Sequence, residues 1–460
     1  MITSNDSKTI AIVGAGLAGS EAALLLADLG YSVRLYEMRP EVSTAVHKTT
    51  HAAELVCSNS LKSTKPESAA GMLKDELSTL HSRLFECALD HRVAAGGALA
   101  VDREAFAADI TERIGRHPRI AFERKHIATV EQACDGCDAL IVASGPLTSD
   151  ELAASLSDLT GQDQLAFYDA AAPIVMADSL DMDRLFRQSR YEDDAVGDYL
   201  NAPFTREEYE RFAHELVNAE RVIARDFETR DLFQACQPIE EIARKGADAP
   251  RFGTLKPVGL TDPRTGRRPW ACLQLRAEDA NGSCYNLVGF QTNLTFPEQK
   301  RVFRMIPGLE RAEFARFGVM HRNTFINAPA LLDANLQLRG AADLPVPVFV
   351  AGQLAGTEGY CEAIRSGLHA AIGAAAQLGG IEAPALPAEC AFGSLIAYAT
   401  SPDTIDYQPM HVNFGIMKPL PERVKNKGER YAAYAKRGHE ALETYAASLL
   451  ELGLLPSVES

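Results

Sequence analysis

Apolar residues cluster in two strand-like runs near the start of the chain, Thr9-Ile-Ala-Ile-Val13 and Ser32-Val-Arg-Leu-Tyr36, with helically spaced apolar positions between them. Gly14, Ala15, Gly16, Leu17, Ala18 and Gly19 stand between the first run and the helix, and the second run closes on Glu37. This register predicts a βαβ unit that binds an adenine dinucleotide. Gly14 permits the tight turn after the strand, Gly16 lets the backbone approach a pyrophosphate, and Gly19 lets the helix pack closely on the sheet. The phosphates would sit on the free amides and positive end of that helix. Glu37 is placed to accept hydrogen bonds from both ribose hydroxyls, which disfavours a 2′-phosphate. Taken alone, the unit leaves FAD and a nicotinamide cofactor both open.

Beyond it, a polar stretch from Ser43 to Ser68 surrounds one apolar island, Ala52-Ala-Glu-Leu-Val-Cys57, and reads as a loop over the cofactor. Helical spacing predicts one helix from Met72 to Leu89 and another from Val101 to Ile114, after a turn at Gly96-Gly97. The buried run Ala139–Ala143 ends at Ser144-Gly-Pro146, as a strand does when it leads back to a dinucleotide in a doubly wound sheet. From about Asp150 the chain becomes aromatic, Arg-rich and mixed. An acidic helix is expected over Arg206 to Asp226, and strands over Trp270–Leu275 and Tyr285–Phe290 flank the hairpin signal Asn281-Gly282. A strand then returns at Val346–Gly352, followed after Gly356 and Gly359 by a helix from Tyr360 to Leu378. That second Gly-rich loop and helix N-terminus, beside the first, make a two-point grip suited to FAD. The fold expected is therefore α/β: a doubly wound, Rossmann-like FAD-binding domain from residues 1–150 and 328–400. An inserted α+β domain, 151–327, would take substrate or RNA, and a helical extension would follow over 401–460.

Composition narrows the function. A chain of 460 residues suggests two domains, and its 46% hydrophobic content contains no run near the roughly eighteen apolar residues of a bilayer span. The polar N-terminus lacks a signal-peptide pattern, so a cytoplasmic protein is expected. Nine cysteines, an odd number without regular spacing, argue for reduced thiols. Cys134-Asp-Gly-Cys137 has no second ligand pair and reads as a turn before a strand, so no metal site is expected. A net charge of -16 excludes indiscriminate binding to polyanions. Any RNA must dock on a local patch, and basic residues do gather in 244–268 and 418–437.

Several interior motifs occur together: Tyr36-Glu-Met-Arg-Pro40, Ala53-Glu-Leu-Val-Cys-Ser-Asn-Ser-Leu-Lys62, Cys236-Gln-Pro-Ile-Glu240, Arg251-Phe-Gly-Thr-Leu-Lys-Pro-Val-Gly-Leu260, Tyr285-Asn-Leu-Val-Gly-Phe-Gln-Thr292, Arg301-Val-Phe-Arg-Met-Ile-Pro-Gly-Leu309 and His321-Arg-Asn-Thr324. With the two glycine loops, they make the chain from about residue 8 to 440 resemble the folate- and FAD-dependent tRNA (uracil-5-)-methyltransferases, the TrmFO family. The resemblance implies FAD as cofactor, NADPH or NADH as reductant and 5,10-methylenetetrahydrofolate as carbon donor. The methylated base would be the uridine at position 54 in the tRNA T loop. Folate and the T arm of tRNA are then the partners, with no membrane and no obligate protein partner. It also implies two functional thiols: Cys236 adding to uracil C6, and Cys57 acting on the flavin side, with exchange of the two roles open. Gln237 departs from the apolar residue the family pattern has there. Tyr360 stands near the isoalloxazine in this reading, and Lys256, Arg264 and Arg301 are candidates for folate glutamate or RNA phosphate. Cys87, Cys272, Cys284, Cys361 and Cys390 read as structural. The alternatives are a paralogue that methylates ribosomal RNA and a wobble-uridine-modifying FAD protein of the MnmG type. The latter carries a long C-terminal helical domain, where only about eighty residues follow the last FAD-binding helix here. An RNA chaperone retaining flavin as a structural element is the reading from outside enzymology.

Overall fold

The structure, a computed structural model, describes residues 7–44, 46–162, 165–190, 197–223, 237–340, 344–405 and 407–457. Its centre is a five-stranded parallel sheet in the order Val348–Val350, Ala139–Val142, Thr9–Val13, Ser32–Glu37 and Ile120–Arg124. Register is fixed by Ile10 opposite Val33 on one side and opposite Ala139 on the other. Because helices cover this sheet, its central strands are apolar almost throughout, and Ile10, Ile12, Leu140 and Phe349 are fully buried. The order reverses at the Thr9–Val13 strand, whose neighbours lead away in opposite directions. Ligands bind at such a switch point, beyond the carboxyl ends of the strands.

Two helices, Leu17–Asp28 and Tyr360–Gly379, cross the sheet in close contact. A Cβ on Gly367 would overlap the Ala18 carbonyl, so small residues set their spacing. One hydrophobic core draws on residues between Ile10 and Leu156 and between Phe325 and Leu455; a second lies within Val175 to Ala312. The second core backs a six-stranded antiparallel sheet with an aromatic centre, where Phe290 meets Phe303 and Phe204 meets Phe212 at centroid distances of 5.4 Å. An antiparallel pair, Leu165–Ala170 with Met320–Phe325, joins the two parts of the chain.

Several expectations change. The apolar period over Met72–Leu89 is broken into Ala69–Thr79 and Arg83–Asp90. His81 takes a left-handed φ of 54°, and Ser82 caps the second helix by accepting from the Phe85 amide at 3.2 Å. The Glu21 carboxylate accepts from Arg83 and Leu84 at 3.1 and 2.9 Å, completing the cap. The helix expected over Arg206–Asp226 ends at Asn218, and residues 224–226 lie outside the described ones. The late strand is shorter than Val346–Gly352, and the hairpin strands are Ala271–Ala277 and Cys284–Leu287. Cys134 closes a short helix and Cys137 lies in the turn before the Ala139–Val142 strand. In the last sixty residues one helix, Lys427–Glu451, dominates, and its Leu442, Tyr445 and Leu449 enter the first core. No helix among the described residues is long and apolar enough to cross a membrane.

Candidate dinucleotide and thiol site

At the switch point a cleft of about 970 Å³, its open mouth included, runs from Glu37 and Lys125 past Gly14 and Gly16 to Gly352, Gln353 and Tyr360. Gly14 takes φ +101° in the turn, and a Cβ there would lie 2.5 Å from the Ala143 carbonyl oxygen. A Cβ on Gly19 would overlap the Gly14 carbonyl oxygen. Gly16 differs: it caps the Leu17–Asp28 helix at φ −73°, and a Cβ on it would meet no protein atom within 4 Å. No described protein atom requires glycine there. No side chain caps this helix, so its first amides face the cleft, where the helix end favours an anion.

At one end of the cleft, Glu37 accepts from the Arg39 Nε and amide at 2.8 and 3.0 Å and from the Ala15 amide at 3.3 Å. Burial pushes its carboxyl up, but the hydrogen bond and charge of Arg39 outweigh it, holding Glu37 below the usual carboxylate range. Arg39 also donates to Glu54 at 3.0 Å and to the Thr49 and His51 carbonyls, tying the loop over the cleft to the second strand. An ionised carboxylate has about four acceptor positions, so Glu37 retains capacity for a sugar hydroxyl.

At the other end, Gly352 lines the cleft, and a Cβ on it would lie 3.1 Å from the Ala18 methyl carbon. Tyr360 opens the next helix, and its hydroxyl accepts from the Cys57 and Ser58 amides at 2.9 and 3.0 Å. Burial, and then the neighbouring Cys57, raise the Tyr360 phenol far above its ordinary range, so it stays neutral with its own proton available to a ligand. Half-buried Cys57 has its Sγ 3.7 Å from the Ala170 carbonyl. Its strand of loop is held from both sides. Arg103 donates to the Leu55 carbonyl at 2.8 Å and pairs with Glu278 at 2.7 Å, while Arg316 donates to the Val56 carbonyl at 2.6 Å. Burial, then the nearby Arg103 charge, lowers the Arg316 guanidinium below its ordinary value.

The structure thus brings Gly14, Gly16, Leu17, Ala18, Glu37, Gly352 and Tyr360 to one cleft, with Ala15 and Cys57 bonded to residues that line it. Cys236 lies outside the described residues. Gly356 and Gly359 do not line the cleft. A side chain on Gly356 would collide with the Tyr407 hydroxyl, and one on Gly359 with Glu362, which pairs with Lys62 at 3.2 Å. Nor do Lys256, Arg264 or Arg301 reach it. Arg264 is held by Asp262 at 2.9 Å, and Arg301 by Glu298 and Glu215. Sequence reading missed Arg39, Arg103 and Arg316 as organisers of the loop. Only Arg39, two positions from Glu37, had a local signal.

Comparison with known proteins agrees with this geometry. Residues 9–382 match the family model described as Glucose inhibited division protein A. A Desulforudis audaxviator protein named methylenetetrahydrofolate--tRNA-(uracil-5-)-methyltransferase TrmFO is 52% identical over 447 residues, covering 96% of this chain and 99% of its own. The chain belongs to the TrmFO family. A second relative of that name, from Bacillus subtilis, is 48% identical over 96% of this chain and 100% of its own. Among solved structures, Aquifex aeolicus GidA shares the fold at a TM-score of 0.68 and 15% identity, over 99% of this chain and 75% of that one.

Proposed function

We propose that this TrmFO-family protein transfers the methylene carbon of 5,10-methylenetetrahydrofolate to C5 of the T-loop uridine at position 54 of tRNA, in the cytoplasm, with NADPH or NADH as reductant. The observation that carries the reading is relatedness at about half identity over nearly the whole chain, joined to a cleft whose Tyr360 hydroxyl accepts from the Cys57 amide. The same relatedness weighs against the wobble-uridine and flavin-retaining chaperone alternatives. FAD, when bound and reduced by NADPH or NADH, would pass on the two electrons that convert a methylene unit to methyl. The amides after Gly16 would hold its pyrophosphate, Glu37 a ribose, and Gly352 and Tyr360 the far end.

Uracil C5 is a poor nucleophile until a group adds at C6, and a thiolate adds and leaves near neutral pH. Cys236 is assigned that addition. Cys57 is assigned to the flavin side, supported by the hydrogen bond its backbone amide donates to the Tyr360 hydroxyl at the end of the cleft. The test is isotopic. With label on the folate methylene, NADPH and an unmodified tRNA transcript, label should appear at C5 of the T-loop uridine, and S-adenosylmethionine should not substitute. Methylation without incorporation of that carbon would refute the mechanism.

A further inference from the structure

The most exposed aromatic side chain among the described residues is Phe252, at 75%. It closes the four-residue helix Ala249–Phe252, and the helix and the loop after it are firmly seated. Pro250 and Leu255 are buried, the Leu255 amide donates to the Pro250 carbonyl at 2.8 Å, and the Leu255 carbonyl accepts from Cys272 at 3.0 Å. The ring is therefore presented to solvent by a rigid base. Phe296, also exposed, stacks on Phe317 with centroids 4.8 Å apart, whereas the contact recorded for the Phe252 ring is the Arg251 guanidinium 5.6 Å from its centroid. Arg251 is itself fixed, lying 3.7 Å from the Trp270 ring and donating to the Trp270 carbonyl at 2.7 Å. Lys256, on the same loop, is half-buried and has no side-chain partner among the described residues.

The loop also connects, through Gly289 and Gln291, to the helix that follows Cys236 in the chain. Thr254 packs against Gly289, where a Cβ would fall 2.6 Å from its methyl group. Two residues on, the Gln291 carbonyl accepts from the Ile239 amide at 2.8 Å, at the head of the Ile239–Arg244 helix that follows Cys236 in the chain. A bare ring with cations beside it suits an unstacked nucleobase, since every base offers a π face and its phosphates need positive charge. In a chain of net charge -16, such a local basic patch favours a polyanion over an apolar protein surface.

We infer that Phe252 is a stacking platform for an unpaired base of the RNA substrate. The inference rests on the RNA-methylating reading above. The experiment compares Phe252→Ala, Phe252→Leu and Phe252→Trp proteins of matched flavin content and melting temperature. The KM for an unmodified tRNA transcript is expected to rise roughly 5- to 150-fold in the Ala and Leu proteins. Trp should restore it, and the KM for methylenetetrahydrofolate should not follow. A transcript carrying 2-aminopurine in the T loop should lose fluorescence on binding the wild type and the Trp protein, but not the Leu protein. Wild-type RNA KM in the Ala and Leu proteins, or a rise confined to the folate KM, overturns the assignment. A wild type that binds the transcript but never methylates it overturns the functional reading instead, and the quenching comparison still decides whether Phe252 stacks a base.

Discussion

Substituting Gly16 and Gly19 separately tests whether the cleft holds a dinucleotide or only resembles one that does. A methyl group on Gly19 would fall on the Gly14 carbonyl oxygen, inside the 3.0 Å below which something must shift. The Gly14 carbonyl is backbone, which cannot swing aside as the end of a flexible side chain can. Overpacking of this kind typically costs about 1–3 kcal/mol and can cost more, so Gly19→Ala should lower the urea midpoint of the flavin-free protein. At Gly16 the backbone is ordinary and a Cβ meets nothing within 4 Å, so Gly16→Ala should leave the unfolding free energy within about 0.5 kcal/mol of wild type. Binding should show the reverse. If the substituent keeps a pyrophosphate from two charge-assisted amide hydrogen bonds at about 1.5–3 kcal/mol each, the loss is about 3–6 kcal/mol, or roughly 10²- to 10⁴-fold in Kd for FAD. Flavin fluorescence titration of the stripped proteins measures this directly. Near wild-type FAD affinity in Gly16→Val, or a flavin-free Gly16→Ala protein as weakened as Gly19→Ala, would show that the reasoning from empty space is wrong.

Other outcomes follow from the same geometry. Burial raises the Glu21 and Glu240 carboxyls from 4.5 to about 7, so the folded state binds more protons than the unfolded one between those values. Stability should therefore fall as pH rises from about 4.5 to 7, by roughly 3 kcal/mol per group, and Glu21→Gln or Glu240→Gln should flatten that slope in urea titrations. An RNA carrying 5-fluorouracil should trap a covalent complex with the wild type, lost in Cys236→Ala and kept in Cys57→Ala; the opposite pattern exchanges the two thiol roles. Arg264 and Arg301 already face carboxylates, so their alanine variants should scarcely change the salt dependence of RNA binding. Lys256→Ala should shallow the log–log slope by about 0.7–0.9 if it meets one phosphate.

The dinucleotide half of the site was readable because its determinants are local. Strand, glycines, helix, strand and Glu37 fall within one βαβ unit, and the same short-range rules set their geometry in any chain that carries them. The late strand, loop and helix were readable for the same reason, as a period that changes at Gly356. The break at His81 and Ser82 was hidden because the apolar period runs through it, and the carboxylate that helps cap the new helix comes from Glu21, 62 residues upstream. The seating of the Cys57 loop was hidden more deeply. Arg103 and Arg316 reach it across 48 and 260 residues, and no spacing rule links an arginine to a carbonyl at such separations.

Glycine and arginine show where sequence reading misassigns function. A glycine can be demanded by a neighbouring protein atom or by a ligand, and the letter is the same. Gly356 excludes side chains because Tyr407 packs against it, and Gly359 because Glu362 does, so neither needs a cofactor to explain it. Gly16 has no such neighbour within 4 Å, which is why its substitution separates binding from folding. A surface arginine is ambiguous in the same way. Arg301 sits in a basic motif, yet Glu298 one turn away and Glu215 from another helix already take its donors. What remains available to a polyanion is the charge the protein has not paired. Lys256, four residues from the uncovered Phe252, is one place among the described residues where such charge lies near an aromatic face.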